Sequence, residues 1–501
     1  MFGFLSGNNQ TPNPVDLHIV QMSKGTTQER LHRWSLATSA YYGRLPNTLV
    51  VRPNKPNDNV RINYARLFVD KGAAFLFGKE VNFEIDDERT TPEETWLQKV
   101  WRKNRKMTFL NTLGVNGGIY GHVFVRILLP DPDDESKLPR LVALDPMTVE
   151  VTWDEDDIEE VTRYAVSYPT IGTDGKPKTK RQRYEQAEDG KSWDIYEEEA
   201  RPEAGRQSHP DEDERITRNG YAQLSRETWP YPFAPIVHCQ NLPAPNEFWG
   251  VADLEHDAID LMQAMNFAMS NIRKVIRNHG SPKPLGSGFN AQQVKWDTDE
   301  MLILPNPEAR ITYLEMGGNM GTAMEFWKQM KASLHAVMRM PEVALGNLEG
   351  VGAVSGVALK IVYQPLLDKT ESKRRTYGEM LEALNARLLV IGGFRTDHES
   401  VLVNTTWPEM LPRDEQVDRQ TAQADTQLGV VSLETISGKL GYDFATEQKR
   451  MKAEKAAGLG PQPPTGIAPP TPPAPPAAPP PVPKQPDAGP TEQDMKDPSA
   501  E

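Results

Sequence analysis

Two acidic runs are the first places to look for chemistry in this chain. Asp131-Pro-Asp-Asp134 and Asp154-Glu-Asp-Asp157 crowd carboxylates into four residues each, and clustered carboxylates are the ligands of hard divalent cations. Neither run carries the glycine and terminal glutamate of a calcium loop, so a solvated turn is the plainer reading of both. A metal-dependent DNA-processing enzyme built on these turns stands as the alternative. The other familiar constellations are incomplete. Gly172-Thr-Asp-Gly-Lys-Pro177 has neither the spacing nor the hydroxyl of a phosphate-binding loop and reads as a hairpin turn. His398-Glu399 lacks a second histidine, and no Gly-x-Ser-x-Gly elbow occurs. Nine scattered histidines and a single cysteine, Cys239, offer no zinc spacing. Cys239 sits in an apolar stretch and reads as a small buried hydrophobe. The expectation is a non-enzymatic chain with no cofactor and no bound metal.

A second set of residues could touch a ligand without catalysing anything. The segment Gly346-Asn347-Leu348-Glu349-Gly350-Val351-Gly352-Ala353-Val354-Ser355, closed by Gly356, has four glycines in eleven residues, no aromatic side chain and one charge. It cannot pack a core, and its glycines take several conformations at low steric cost. Lys360 follows by one helical turn, as a candidate for a light phosphate contact or, more plainly, a solvated helix lysine. Pro365 lies further in. A proline there removes one backbone hydrogen bond and kinks a helix, unless the helix starts only after it. Lys283, Lys295 and Arg310 are interspersed with Asp297, Asp299, Glu300 and Glu308. That mixed surface suits exchange between partners, and a solvated β insert explains it equally well.

Long elements must position these residues. Residues 324–340 read as a helix, and a second runs from about Val357 to Ile391, roughly 50 Å at 1.5 Å per residue. A third spans Gly250–Asn278, acidic at its start (Asp253, Glu255, Asp257, Asp260) and basic at its end, with one broad apolar face. Earlier, helix signals begin near Thr27 and continue over Arg61–Phe77, where Gly78 stands as the C′ glycine. Val81–Ile85 alternates as a strand. Thr91-Pro-Glu-Glu94 is a capping box that opens another helix. A helix over Thr108–Gly118 follows, then strands over His122–Leu129 and Leu141–Asp145. Between Glu150 and Val237 the text is short β segments, with strands at Glu150–Thr152, Arg163–Tyr168, Lys180–Tyr184 and Ser192–Tyr196. Residues 197–219 read as a solvated loop. Leu302–Leu304, Arg310–Leu314 and Ser400–Asn404 are further strands, and Pro412–Ala457 is helical in pieces broken at Gly429 and Gly441. Sixteen prolines between Pro461 and Pro498 mark a disordered tail with polyproline bias.

The formal net charge of the 501 residues is −14, which argues against a protein that coats nucleic acid through an overall positive field. It leaves room for a passage through which DNA slides, since an acidic wall does not hold phosphates. No apolar run of about 18 residues predicts a membrane span, and the amino terminus lacks the basic and apolar regions of a secretory signal.

Four segments together carry a resemblance. They are Asn63–Phe83 (NYARLFVDKGAAFLFGKEVNF), the 241–266 stretch with NEFWGVADLEHDAIDLMQAMN, the turn PEVALGNLEGVGAVSGVALK, and TTWPEMLPRDEQVDRQTAQADTQLGVVSLETISGKLG. In this order and spacing, over about residues 30–457, the chain resembles the portal (head–tail connector) proteins of tailed double-stranded DNA bacteriophages. The resemblance implies a mixed α+β portal fold with long stem helices, a β-rich clip and wing and a helical crown, assembled as a ring. The implied division is an N-terminal arm over 1–29, a wing over 30–245 with its strand region at 393–411, and stem helices over 246–280 and 323–340. The clip would be 281–322, the tunnel loop 341–356, the long kinked spine helix 357–392, the crown 412–457 and the tail 458–501. The loop and tail at 197–219 and 458–501 depart from the family core and inherit no role.

The implied role is a homododecamer at one capsid vertex of the virion, assembled in the host cytoplasm. It would form the channel for DNA packaging and ejection. Its implied partners are copies of itself, the terminase large subunit that supplies the energy, then a head–tail adaptor, capsid and scaffolding protein, and double-stranded DNA held without sequence specificity; no membrane is involved. An adaptor or scaffold ring without a DNA channel is a third reading. In a ring, the basic cluster Lys369, Lys373, Arg374 and Arg375 faces the acidic stem start, and intersubunit ion pairs are expected there.

Overall fold

The computed structural model describes residues 14–85, 91–130, 137–172, 175, 177–190, 192–200, 221–279, 284–287, 307–308, 310–313, 320–346, 356–399, 403–411, 415–439 and 441–456. These residues form ten α-helices and twelve β-strands, a mixed architecture with antiparallel sheets. The chain divides into two compact units, residues 1–412 and 413–501. The Asp131–Asp134 run, Leu302–Leu304, Lys283, Lys295, Asp297, Asp299, Glu300, loop residues 347–355 and the proline tail all lie outside the described residues.

In the first unit, α1 (Pro14–Tyr41) and α2 (Tyr64–Phe77) precede the short strand β1 (Asn82–Glu84). Helix α1 begins at Pro14, well before the Thr27 start read from the sequence. Gly78 caps α2 in a right-handed conformation (φ −72°) and donates to Ala74 O, so it is not the left-handed C′ glycine expected. Helix α3 (Pro92–Lys103) opens with the predicted capping box: Thr91 Oγ1 accepts from Glu94 N, and Glu94 Oε2 accepts from Thr91 N. Next comes α4 (Lys106–Tyr120), then β2 (His122–Leu128) and β3 (Arg140–Leu144).

Residues 149–229 form a five-stranded antiparallel meander, β4 (Val149–Trp153), β5 (Val161–Ile171), β6 (Pro177–Gln186), β7 (Trp193–Ala200) and β8 (Tyr221–Trp229). The strands are longer than their hydrophobic text suggested, and β7 runs into the acidic segment read as loop. Charged cross-strand pairs explain this: Glu198, only 1% exposed, lies 3.0 Å from Arg183 Nε on β6. Opposite charges side by side on one sheet face carry strand structure that apolar alternation does not announce. The Gly172–Pro177 segment is the β5–β6 hairpin turn, with Gly175 at φ +74° and its amide on Gly172 O.

Strand β9 (Ile236–Gln240) joins β2 and β3 in a second sheet of order β3-β2-β9, which buries Cys239 against Val123 in the core. Helix α5 (His256–His279) follows, then β10 (Pro284–Ser287) paired antiparallel with β11 (Arg310–Tyr313), then α6 (Met320–Val337). Helix α7 (Gly356–Ile391) has 36 residues, about 54 Å at 1.5 Å each. It continues without a break through Pro365, which rules out a start after the proline. Strand β12 (Asn404–Thr406) pairs with β1 and falls slightly later than the strand expected at Ser400–Asn404. The second unit holds α8 (Glu415–Gln427), α9 (Leu433–Lys439) and α10 (Phe444–Ala456), interrupted at Gly429 (φ +68°) and Gly441 (φ +86°) as the sequence indicates.

The carboxyl-terminal two thirds of α7 is the axis of the main core. Tyr377, Leu381, Leu384, Leu388 and Leu389 are fully buried against α3, α4 and the β3-β2-β9 sheet. Trp101 of α3 donates its indole N–H to Asn385 Oδ1 at 2.8 Å inside that core. The approach of α4 to α7 depends on Gly117, where an added Cβ would lie 1.9 Å from Tyr377 Oη and 2.8 Å from Asn241 Oδ1. Gly117→Ala is therefore expected to destabilise the first unit by about 1–3 kcal/mol through overpacking, read as a lower urea midpoint. An unchanged midpoint would show that α7 is free to move away.

Candidate functional site at the root of the glycine loop

The glycine loop is reached through a tightly tied turn. After α6 the chain passes Arg339, held at φ +51°, and Pro341, then makes a 3-10 turn over Glu342–Leu345. Gly346 follows at φ +92°, and a Cβ there would meet nothing within 4 Å. Glycine is thus demanded by backbone conformation, which L side chains resist. His335 Nδ1 donates to Met340 O at 2.8 Å, and its ring meets Phe68 of α2 edge-on at 5.3 Å. Lys331 Nζ lies 2.8 Å from Glu342 Oε2. These contacts fix the point from which the loop departs, on α6 and α2.

A buried ionic cluster ties the later part of α7 to the same turn. Asp253 lies in the segment before α5; its amide and that of Leu254 donate to Gly118 O, at 2.9 and 3.1 Å. Those bonds delay the helix to His256, later than the Gly250 start read from the sequence. Asp253 Oδ1 is 2.9 Å from Lys369 Nζ, and Oδ2 is 2.6 Å from Lys373 Nζ. Lys369 also donates to Met338 O at 3.2 Å, next to the loop-bearing turn. All three side chains are under 10% exposed. Burial alone would raise the Asp253 carboxyl, but Lys369 and Lys373 outweigh it and hold the group well below the usual carboxylate range. Burial is the larger influence on Lys373, whose pKa is lowered despite the carboxylate beside it.

This geometry corrects the expectation of intersubunit pairs. Lys369 and Lys373 bind an acidic residue of the stem start, as charge suggested, but within the same chain. Arg374 donates to Pro408 O at 2.7 Å and stacks over Trp407. Only Arg375 of the four remains exposed. Neither Asn241 nor Tyr377 was singled out in the sequence, yet they complete the region: Tyr377 Oη donates to Asn241 Oδ1 at 3.2 Å, and both are fully buried. The signal was available, because Lys369, Lys373, Tyr377 and Leu381 recur every four residues on the face of α7 that enters the core.

The remaining candidates fall apart from this region. Lys360 is exposed on the first turns of α7, and Arg310 is exposed on β11. Pro365 sits where α7 passes from its exposed start to the buried Leu366. In the Asp154–Asp157 run, Asp154 Oδ1 accepts from Asp156 N and Asp157 Oδ1 accepts from Glu159 N, both at 2.9 Å, so these carboxylates cap their own turn. Among the described residues no three His, Cys, Asp or Glu side chains gather as a metal site, and no helix is long and apolar enough to cross a membrane. The buried pair His122–His238 (Nε2 to Nδ1, 3.0 Å) is packed between Phe124, Phe248 and Trp249, and burial lowers both pKa values, His238 to about 4. Burial pushes the Cys239 thiol up, away from the reactive thiolate.

The Asp253 cluster yields a prediction. Asp253→Asn leaves two buried ammonium groups without a counter-charge and is expected to cost about 3–5 kcal/mol at pH 7. Asp253→Asn/Lys373→Met should recover part of that loss. Because the folded pKa of Asp253 is depressed, its contribution is complete above the unfolded value near ~4 and fades as pH falls below it. The gap between urea midpoints of the native protein and Asp253→Asn should therefore be constant above about pH 5 and narrow progressively as pH falls below about 4; a gap unchanged between about pH 5 and about pH 2 would contradict the assignment.

Comparison with known proteins places this architecture. No curated protein matches the sequence. Among solved structures, a chain of one described as "Neck of empty GTA particle computed with C6 symmetry" superposes with a TM-score of 0.47 at 12% identity, covering 85% of this chain and 98% of that one. The family model "Phage portal protein, SPP1 Gp6-like" matches residues 24–459, which takes in α2, α5, α6, the loop root, α7 and the helices of the second unit. The chain belongs to the SPP1 Gp6-like family of phage portal proteins.

Proposed function

We propose that this chain is the non-enzymatic subunit of a homododecameric ring at one capsid vertex, with a central channel through which double-stranded DNA is packaged and later ejected. The family match supports the portal role. The observation that carries the finer reading is the asymmetry at the loop root: a glycine-rich segment with one charge is launched between two long helices from a turn fixed by His335, Lys331 and the Asp253 cluster. In this proposal residues 341–356 form the tunnel loop beside DNA, with Gly346–Ser355 at its tip. A surface with few cations lets phosphates pass, since each neutralised phosphate would add to salt-sensitive binding and stall movement. Exposed Lys360 makes at most a light contact there.

The remaining assignments follow the same frame. Helices α5 and α6 are the stem, and α7 is the spine, bent at Pro365 between channel and wing. Residues 281–322 are the clip, whose mixed charges (Lys283, Lys295, Asp297, Asp299, Glu300, Arg310) dock the terminase and then the head–tail adaptor. Residues 412–457 are the crown inside the head, and capsid and scaffolding protein meet the ring's outer face.

Replacing residues 347–355 by a short Gly-Ser linker tests the conduit. Assembly should be intact by negative-stain microscopy, because the root contacts all lie outside the replaced segment, while DNA-filled heads are lost in a complementation assay. Normal filling with the replaced loop would remove the loop from the conduit. Incorporation of the ring into capsids is scored in the same particles, which separates that outcome from a failure of the portal reading.

A further inference from the structure

A cavity of about 440 Å³ opens between α1, the end of α4 and residues 244–256, lined by Arg30, Arg33, Trp34, Tyr120, Trp249 and Glu255 among others. Its lining includes a buried cation, Arg30, that makes no ion pair within 4 Å among the described residues. Arg30 is 8% exposed, and its guanidinium lies 4.0 Å from the ring centre of Trp249 and 5.2 Å from that of Trp34. Arg30 Nε and Trp249 Nε1 are both buried donors with no acceptor among the described residues. A buried charge without a partner is costly, and aromatic faces recover only part of that cost. Of the carboxylates nearby, Glu255 Oε1 already accepts from Ala252 N at 2.9 Å, and Glu150 acts on Arg30 only through space, as the smallest of the three influences on its pKa. Burial, with Arg33 beside it, lowers the Arg30 pKa to about 10, which leaves the group charged at neutral pH.

We propose that this cavity is a carboxylate-binding site, with Arg30 as the anchoring cation and Trp249 as a second donor. The planar guanidinium fork matches a carboxylate in two parallel bonds. The two arginines of the lining face two glutamates, Glu247 and Glu255. That balance leaves no surplus of positive charge for a phosphate dianion, and a monocarboxylate suits the fork of Arg30 alone. The carboxylate comes either from an acidic side chain of a second copy of this chain or from a free small acid.

The test uses the full chain at neutral pH, acetate as probe, and sodium chloride and inorganic phosphate at matched ionic strength as controls. Acetate should raise Tm saturably in the native protein, phosphate and chloride should not, and Arg30→Gln should abolish the response. Arg30→Lys keeps the charge but loses the fork, and should weaken the response severalfold. Arg30→Gln without ligand should be no less stable than the native protein, the opposite of losing a structural arginine. Mass photometry separates the sources. If acetate dissolves native assemblies and Arg30→Gln weakens them, the carboxylate belongs to a neighbouring copy; if Tm rises with assembly unchanged, it is a free acid. No Tm or assembly response to acetate, an equal response to phosphate, or an undiminished response in Arg30→Gln overturns the proposal.

Discussion

One carboxylate organises the region where the end of α4, the segment before α5 and α7 meet. Asp253 receives two buried ammonium groups from the long helix α7, and its own backbone is hydrogen-bonded to the end of α4. Three elements distant in sequence are thereby fixed against one another where α6 hands over to the glycine loop. A pair of lysines on one carboxylate leaves a net positive charge inside the protein, an arrangement that apolar packing alone would avoid. It is directional, however. Lys369 reaches both Asp253 and the carbonyl of Met338, so the register of the long helix and the exit of the loop are set together.

Around that anchor the packing divides labour. The carboxyl-terminal part of α7 is a core helix, with Tyr377, Leu381, Leu384 and Leu388 fully enclosed. Its first turns are not: Ile361 is 68% exposed, and Lys360 points to solvent. The helix is thus held rigidly at one end and presented at the other. Pro365 stands close to the change, where a missing backbone hydrogen bond lets direction alter without breaking the helix.

Much of the fold was legible because long periodic segments report their own structure. The capping box at Thr91, the α6 helix, the length of α7 and the broken helices of the second unit follow from caps, apolar spacing and glycines. The β region was less legible. Strands β6 to β8 are written in charged residues whose pairing across the sheet becomes visible only when Glu198 meets Arg181 and Arg183. The start of α5 was misread because Asp253, an ordinary first-turn acid by position, is claimed by partners more than a hundred residues away. The basic cluster of α7 was read as surface for the same reason: lysines on an apolar face look like solvent-exposed charge until their counter-ion is found. Arg30 was not singled out at all, since nothing local distinguishes a helix arginine with a carboxylate partner from one without.

The central claim is that many copies share an opening and that their glycine loops line it. Cryo-electron microscopy of the purified full-length protein after assembly tests this most directly. The account predicts closed rings in which α5 and α6 of each copy surround a channel and residues 347–355 project toward its axis. Compact particles without an opening, or rings whose 347–355 segments lie on the outer surface, would contradict it.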